Sequence, residues 1–205
     1  ANYPSQKSAI NNEDNFTALN KKATEYIVKS ANDIGAKVVF ISSQAAKVAT
    51  EIYGTLKAKS EALVATTKAG YLILRPSLIL GMSPNTFNPR PFNRILKCLD
   101  DRATIGAFDT SWKLQPTYIG HLSHVIEKTI SDNTWSKSVP VFIDHLVTQY
   151  QIAQDILRPF GVTVSPTDQQ ISIPPSNDDL RLFTTFDLSP HTYSEMIDVI
   201  IQEIK

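Results

Sequence analysis

Two short apolar runs with a helical stretch between them constrain this chain more than any other feature. The first is Lys37-Val-Val-Phe-Ile-Ser-Ser-Gln44, β-branched and ending in two hydroxyls; the second is Tyr71-Leu-Ile-Leu-Arg-Pro-Ser-Leu-Ile-Leu-Gly81. Runs that are apolar throughout, rather than alternating, read as parallel strands buried on both faces. Parallel neighbours need a crossover, which segment 52–69 supplies. A parallel strand delivers its last side chains to the carboxyl edge of the sheet, where open α/β proteins bind ligands. Ser42 and Ser43 stand at that edge.

The crossover carries Tyr53 and, four residues on, Lys57. The stretch Lys57-Ala-Lys-Ser-Glu-Ala-Leu-Val is rich in helix formers, so the two side chains share one helix face. A phenol ordinarily titrates at about pH 10, and a neighbouring ammonium is a physical means of making it a usable acid or base nearer neutrality. A second Tyr-x-x-x-Lys match, Tyr3 to Lys7, carries no such weight. Pro4 disfavours helix at Tyr3, and no strand ending in hydroxyls precedes it.

Helix and strand alternate. The pattern predicts a helix over 17–34 closed by Gly35, a strand over 37–43, a helix over 52–69 closed by Gly70 and a strand over 71–80. Such alternation predicts an α/β chain with a parallel sheet. From Met82 the text changes to a Pro/Asn loop, Ser83-Pro-Asn-Thr-Phe-Asn-Pro-Arg-Pro, which reads as the mouth of a site. Beyond it come a helix near 92–100, a strand within Leu114–Ile119, a helix over 121–130 and a strand over 139–143. A helix over 148–157, a Pro-rich stretch over 165–175 and a final helix complete the chain. That last helix is expected to have Ser189 as N-cap, Pro190 at the first helical position and Met196, Ile197, Ile200, Ile201 and Ile204 on one stripe.

Composition excludes several classes. The 205 residues carry 20 basic and 20 acidic side chains, so no net field favours nucleic acid or an anionic membrane surface. No run approaches the roughly 20 apolar residues of a membrane span. Cys98 is alone, which excludes a disulfide framework and a thiolate cluster. His121 and His124 are three apart, but no Cys, Asp or Glu completes an obvious ligand set, so surface or helix-capping roles are expected and no metal. Gly-x-Ser-x-Gly, the mark of a serine hydrolase elbow, is absent. The cytoplasm, or an organelle matrix, is the expected compartment.

At Ile41-Ser42-Ser43, Tyr53 to Lys57 and Arg75-Pro76-Ser-Leu-Ile-Leu-Gly81, in that order, the chain resembles the short-chain dehydrogenase/reductase superfamily, in its extended and atypical branches of epimerases, dehydratases and reductases. Asn20-Lys-Lys-Ala-Thr-Glu-Tyr-Ile upstream and Leu114-Gln-Pro-Thr-Tyr-Ile119 downstream extend the likeness. The resemblance implies part of a Rossmann-like doubly wound parallel sheet over residues 1–81. A mixed region over 82–205, with remaining sheet elements and a small α/β substrate-binding lobe, would follow. It also implies an NAD or NADP cofactor and a small-molecule substrate with an alcohol/ketone couple.

By resemblance, Tyr53 exchanges the hydroxyl proton, Lys57 lowers its pKa and binds the nicotinamide ribose, and Ser43 holds the substrate oxygen, with Ser42 as the alternative. Pro76 and Ser77 would approach the carboxamide through backbone atoms, and Asn20 would have a structural or proton-relay role. None of the seven glycines forms the family's Gly-x-x-Gly-x-x-Gly turn, so by resemblance roughly the first 80 to 110 residues of the family's fold are expected to be missing, whether cleaved or disordered, supplied by another chain or replaced by a partner surface. The expected partners are that amino-terminal segment or a second copy, the Tyr53 helix being a common dimer surface in the family. The Ser43 to Tyr53 spacing is short for a sugar epimerase, and Ile119-Gly120-His121 stands where Val-Asp-Asp is usual. Both tilt the reading towards atypical reductases or a non-catalytic accessory subunit of a larger complex, such as that of respiratory complex I.

Overall fold

The computed structural model describes residues 21–48, 52–85, 90–101, 105–171, 175 and 182–205. In chain order the elements are α1 (Ala23–Ile34), β1 (Val38–Ile41), α2 (Ala45–Val48), α3 (Ile52–Val64), β2 (Tyr71–Pro76), β3 (Ile79–Leu80), α4 (Pro91–Asp100) and β4 (Ala107–Asp109). They continue with β5 (Thr117–Tyr118), α5 (Ile119–Ser131), β6 (Lys137–Val141), α6 (Gln149–Leu157), β7 (Ser165–Thr167), α7 (Leu182–Phe186) and α8 (Tyr193–Ile204). One compact unit takes the chain up to Pro76 and Leu122–Val141; the other takes Ser77–His121 and Phe142–Lys205. The chain thus leaves the first unit before the Gly81 boundary drawn from sequence, and later returns to it.

The first unit is built on three parallel strands in the order β1-β2-β6. Leu72, Ile73 and Leu74 of the central strand are buried, as a run apolar on both faces requires. Strand β1, an edge among the described residues, differs from expectation, because Val39 and Ile41 are exposed while Val38 is buried. Pro140 falls on the other edge strand, where a missing N–H is tolerated. Helix α1 packs Val28 and Ala31 with Val38, Val64 and Ile73. It ends at Gly35, whose left-handed backbone returns its N–H to the Ala31 carbonyl.

Helix α3 stops at Val64, well short of the expected Gly70. Thr66 and Thr67 turn their hydroxyls onto the Leu63 and Val64 carbonyls, both at 2.7 Å, and so satisfy the helix end locally. Gly70 serves the entry to β2 instead: its φ is +120°, and a Cβ there would lie 2.8 Å from that of Trp135. The strand expected over 71–80 is also two pieces. β2 pairs with β1 and β6, whereas β3 pairs with β5 in the second unit.

The second unit holds two parallel pairs, β3-β5 and β4-β7, around a core that includes Leu80, Phe92, Phe108, Ile152, Ile156 and Met196. Part of the expected Pro-rich stretch is strand β7, where Pro166 faces Phe108. Helix α8 begins later than Ser189-Pro190 suggested. Its N-cap is Thr192, whose hydroxyl accepts from the Glu195 amide while the Glu195 carboxylate accepts from the His191 and Thr192 amides. The Ser189–Pro190 peptide is cis and precedes this box.

Helix α6 has the same device, Thr148 with Gln151. Thr148→Ala is expected to destabilise the protein by about 1 kcal/mol, and Thr148→Ser to restore most of it, in thermal or urea unfolding.

Candidate active site

At the carboxyl end of β1 the chain turns under its own hydroxyl. The Ser42 amide still bonds the Leu74 carbonyl at 2.7 Å, extending the ladder, and the Gln44 amide reaches the Pro76 carbonyl at 2.9 Å. The Ser43 Oγ accepts from the Ala45 amide at 3.2 Å, which starts α2 and fixes the hydroxyl. Tyr53, in the first turn of α3, is hydrogen-bonded through its phenol to the Ser43 side chain. The Ser43 hydroxyl and the Tyr53 phenol are therefore already joined.

One turn further along α3, Lys57 is 6 % exposed. Its ammonium donates to the Ile41 carbonyl at 3.0 Å and lies 4.9 Å from the Phe40 ring centre and 5.9 Å from that of Tyr53. An ammonium has three donors, and Ile41 takes one. Another turn on is Glu61, which sequence reasoning did not single out. Its carboxylate accepts from the Arg75 Nε at 2.9 Å and Nη2 at 2.6 Å, and from the Ser42 hydroxyl at 2.5 Å. The signal was available: 53, 57 and 61 continue one helix face, and a guanidinium at the end of the apolar β2 needs a buried counter-ion.

Burial pushes the Tyr53 phenol above its ordinary pKa, and the Ser43 hydrogen bond pulls against that. The depression expected from Lys57 is thus not what governs Tyr53 in the chain alone. Burial lowers the Lys57 ammonium, and the Glu61 carboxylate opposes it. Hydrogen bonding to Glu61 raises Arg75 further.

Ser43, Tyr53 and Lys57 are thereby brought together in the first unit. Ser42 turns away to Glu61, and Pro76 joins the group through Gln44. Ser77 opens the second unit, its amide donating to the Thr117 hydroxyl at 2.9 Å. The backbone atoms nominated at 76 and 77 thus already have partners within the chain. The Ser77 hydroxyl is buried, with no hydrogen bond among the described residues. Asn20 and residues 86–89 of the expected mouth loop lie outside those residues. His121, for which a surface or helix-capping role was expected, is buried at 1 % exposure and edge-on to Tyr118; His124 is exposed. Among the described residues no helix is long and apolar enough to cross a membrane.

No protein-family profile matches the chain, and no curated protein matches its sequence. Solved structures do match. A dTDP-4-dehydrorhamnose reductase from Bacillus anthracis, in complex with NADP, superposes with a TM-score of 0.81 at 18 % identity, over 99 % of this chain and 78 % of that one. The reductase of the same name from Yersinia enterocolitica gives 0.80 at 14 % identity, over 100 % and 79 %. UDP-glucuronic acid 4-epimerase from Bacillus cereus, in complex with NAD, gives 0.66 at 14 %, over 90 % and 67 %. The fold is α/β and Rossmann-like, with parallel sheets.

Proposed function

We propose that this chain carries the acid/base centre of an NAD(P)-dependent reductase or epimerase of the extended or atypical short-chain dehydrogenase type, acting on the alcohol/ketone couple of a small molecule. A nucleotide-linked sugar is the substrate class favoured by the likeness to the two reductases and the epimerase. The observation that carries the reading is the joined Ser43–Tyr53 pair beside Lys57 at the carboxyl end of a parallel strand.

The residues present fit the nicotinamide end of such a cofactor, NAD or NADP. Lys57 offers an ammonium with donors beyond the Ile41 bond, suited to ribose hydroxyls. No glycine-rich pyrophosphate turn is present in the sequence. The cofactor, when bound, supplies or accepts the hydride. Ser43 holds the substrate oxygen, and Tyr53 gives a proton to that oxygen in reduction or removes it in oxidation. At neutral pH the phenol is in its acid form, the form that donates in carbonyl reduction.

Titration with NADPH and NADH, followed by the fluorescence of the reduced nicotinamide, tests the reading. A charged hydrogen bond is worth about 1.5–3 kcal/mol, so Lys57→Met is expected to weaken the preferred nucleotide roughly 10- to 100-fold. Binding unaffected by Lys57→Met, together with turnover unaffected by Tyr53→Phe, would favour the non-catalytic accessory role.

A further inference from the structure

Glu61 has more partners than a helix residue needs for packing. Arg75 grips it with two nitrogens, a fork that fixes carboxylate orientation, and the pair is only 10 % and 19 % exposed at Glu61 and Arg75. So held, the carboxylate accepts from Ser42, the residue that follows Ile41, and the Ile41 carbonyl receives the Lys57 ammonium. Three elements, the end of β1, the face of α3 and the end of β2, meet at one carboxylate. We infer that Glu61, oriented by Arg75, is a positioning residue that holds Lys57 in its charged form and fixes the β1 exit from which Ser43 projects. The inference rests on the proposed role of Lys57 and names what sustains it.

The electrostatics agree in sign. Burial favours loss of the Lys57 proton, and Glu61 opposes that loss. Among the described residues, the other groups found beside the ammonium supply no competing negative charge. β1 brings the Phe40 ring and the Ile41 carbonyl, and α3 brings the protonated phenol of Tyr53. On α2 the charged residue is Lys47, which is exposed, and on β2 it is Arg75.

The test reads Lys57 itself and needs neither cofactor nor substrate. Trace acetylation with acetic anhydride as a function of pH, followed by peptide mass spectrometry, reports the free-amine fraction of Lys57 in the folded chain. Glu61→Gln keeps the shape and removes the charge; it is expected to label faster than wild type by roughly threefold to tenfold near pH 8. Glu61→Asp keeps the charge and spoils the shape, and is expected to lie nearer wild type. A packing role predicts the reverse order, and that order would overturn the inference. Equal labelling in all three proteins would overturn it as well.

Should Glu61→Gln fail to fold because Arg75 is left unpaired, Glu61→Gln combined with Arg75→Gln leaves no lone ion and must label faster than Arg75→Gln alone, in which the carboxylate keeps its charge. If labelling behaves as expected while nucleotide binding ignores Lys57→Met, the positioning stands and the oxidoreductase reading falls. The converse pattern separates them the other way.

Discussion

Tyr53→Phe is expected to lower turnover about 10²- to 10⁴-fold, the usual contribution of a positioned acid or base, while leaving the fold intact. That loss corresponds to roughly 2.7–5.5 kcal/mol of transition-state stabilisation. The change removes one oxygen, whose hydrogen bond to Ser43 contributes about 1 kcal/mol to stability. A thermal midpoint near wild type with collapsed turnover is therefore the expected result, measured as NADPH or NADH oxidation in the presence of nucleotide-linked keto sugars. The pH profile follows from the same environment. Burial holds the phenol above its ordinary value, so the acid form persists through neutrality; the rate of carbonyl reduction should be flat there and fall on the alkaline side. A rate that instead rises with pH through neutrality would mean that Tyr53 works as the phenolate, and the reductive direction would be wrong. Turnover unchanged in Tyr53→Phe would remove the acid/base role altogether.

The parts of this fold that sequence made legible are those in which local preference and burial point the same way. Leu72, Ile73 and Leu74 occupy a central parallel strand, and an uninterrupted apolar run has few other places to go. Gly35 closes α1 because the left-handed conformation there is cheap only for glycine. Legibility fails where two local solutions compete. Gly70 looked like a helix end, yet Thr66 and Thr67 closed α3 first with their own hydroxyls. Ser189-Pro190 and Thr192 with Glu195 are both respectable helix starts, and the second satisfies more backbone donors.

The site divides in the same way. That Ser43, Tyr53 and Lys57 come together could be read because their spacing is local to one strand end and one helix face. Which of the two serines turns towards Tyr53 could not be read, because Ser42 is diverted by Glu61, and that carboxylate is also held by Arg75 from another strand. A glutamate in the middle of a helix is statistically a solvated residue. Here the meeting of β1 and β2 with α3 turns it inward.

The second large effect is expected in the other unit, at Asp109. This residue closes β4 and is 0 % exposed, yet its carboxylate is fully used: Oδ1 accepts from the Ser111 hydroxyl at 2.7 Å and the Gln169 amide at 2.9 Å, and Oδ2 from the Trp112 amide at 2.8 Å. Ser111 in turn accepts from the Ile171 amide at 2.9 Å, so the carboxylate also organises the chain leaving β7. Asp109→Ala strands three donors, each costing about 1–3 kcal/mol when left without a partner, and water recovers part of that; a destabilisation of about 3–5 kcal/mol is expected. Asp109→Asn keeps one acceptor oxygen and should fall between. Burial alone would raise this carboxyl, but the Trp112, Gln169 and Ser111 donors outweigh it and hold it below the ordinary value. A carboxyl lower in the folded than in the unfolded chain contributes stability that is present above the unfolded value and lost as pH falls through the folded one. Urea midpoints measured from neutral pH into the acid range should therefore fall more steeply for wild type than for Asp109→Asn. Parallel curves would mean that these donors find water as readily as the carboxylate, and that β4 and β7 are held together by their ladder and core side chains alone.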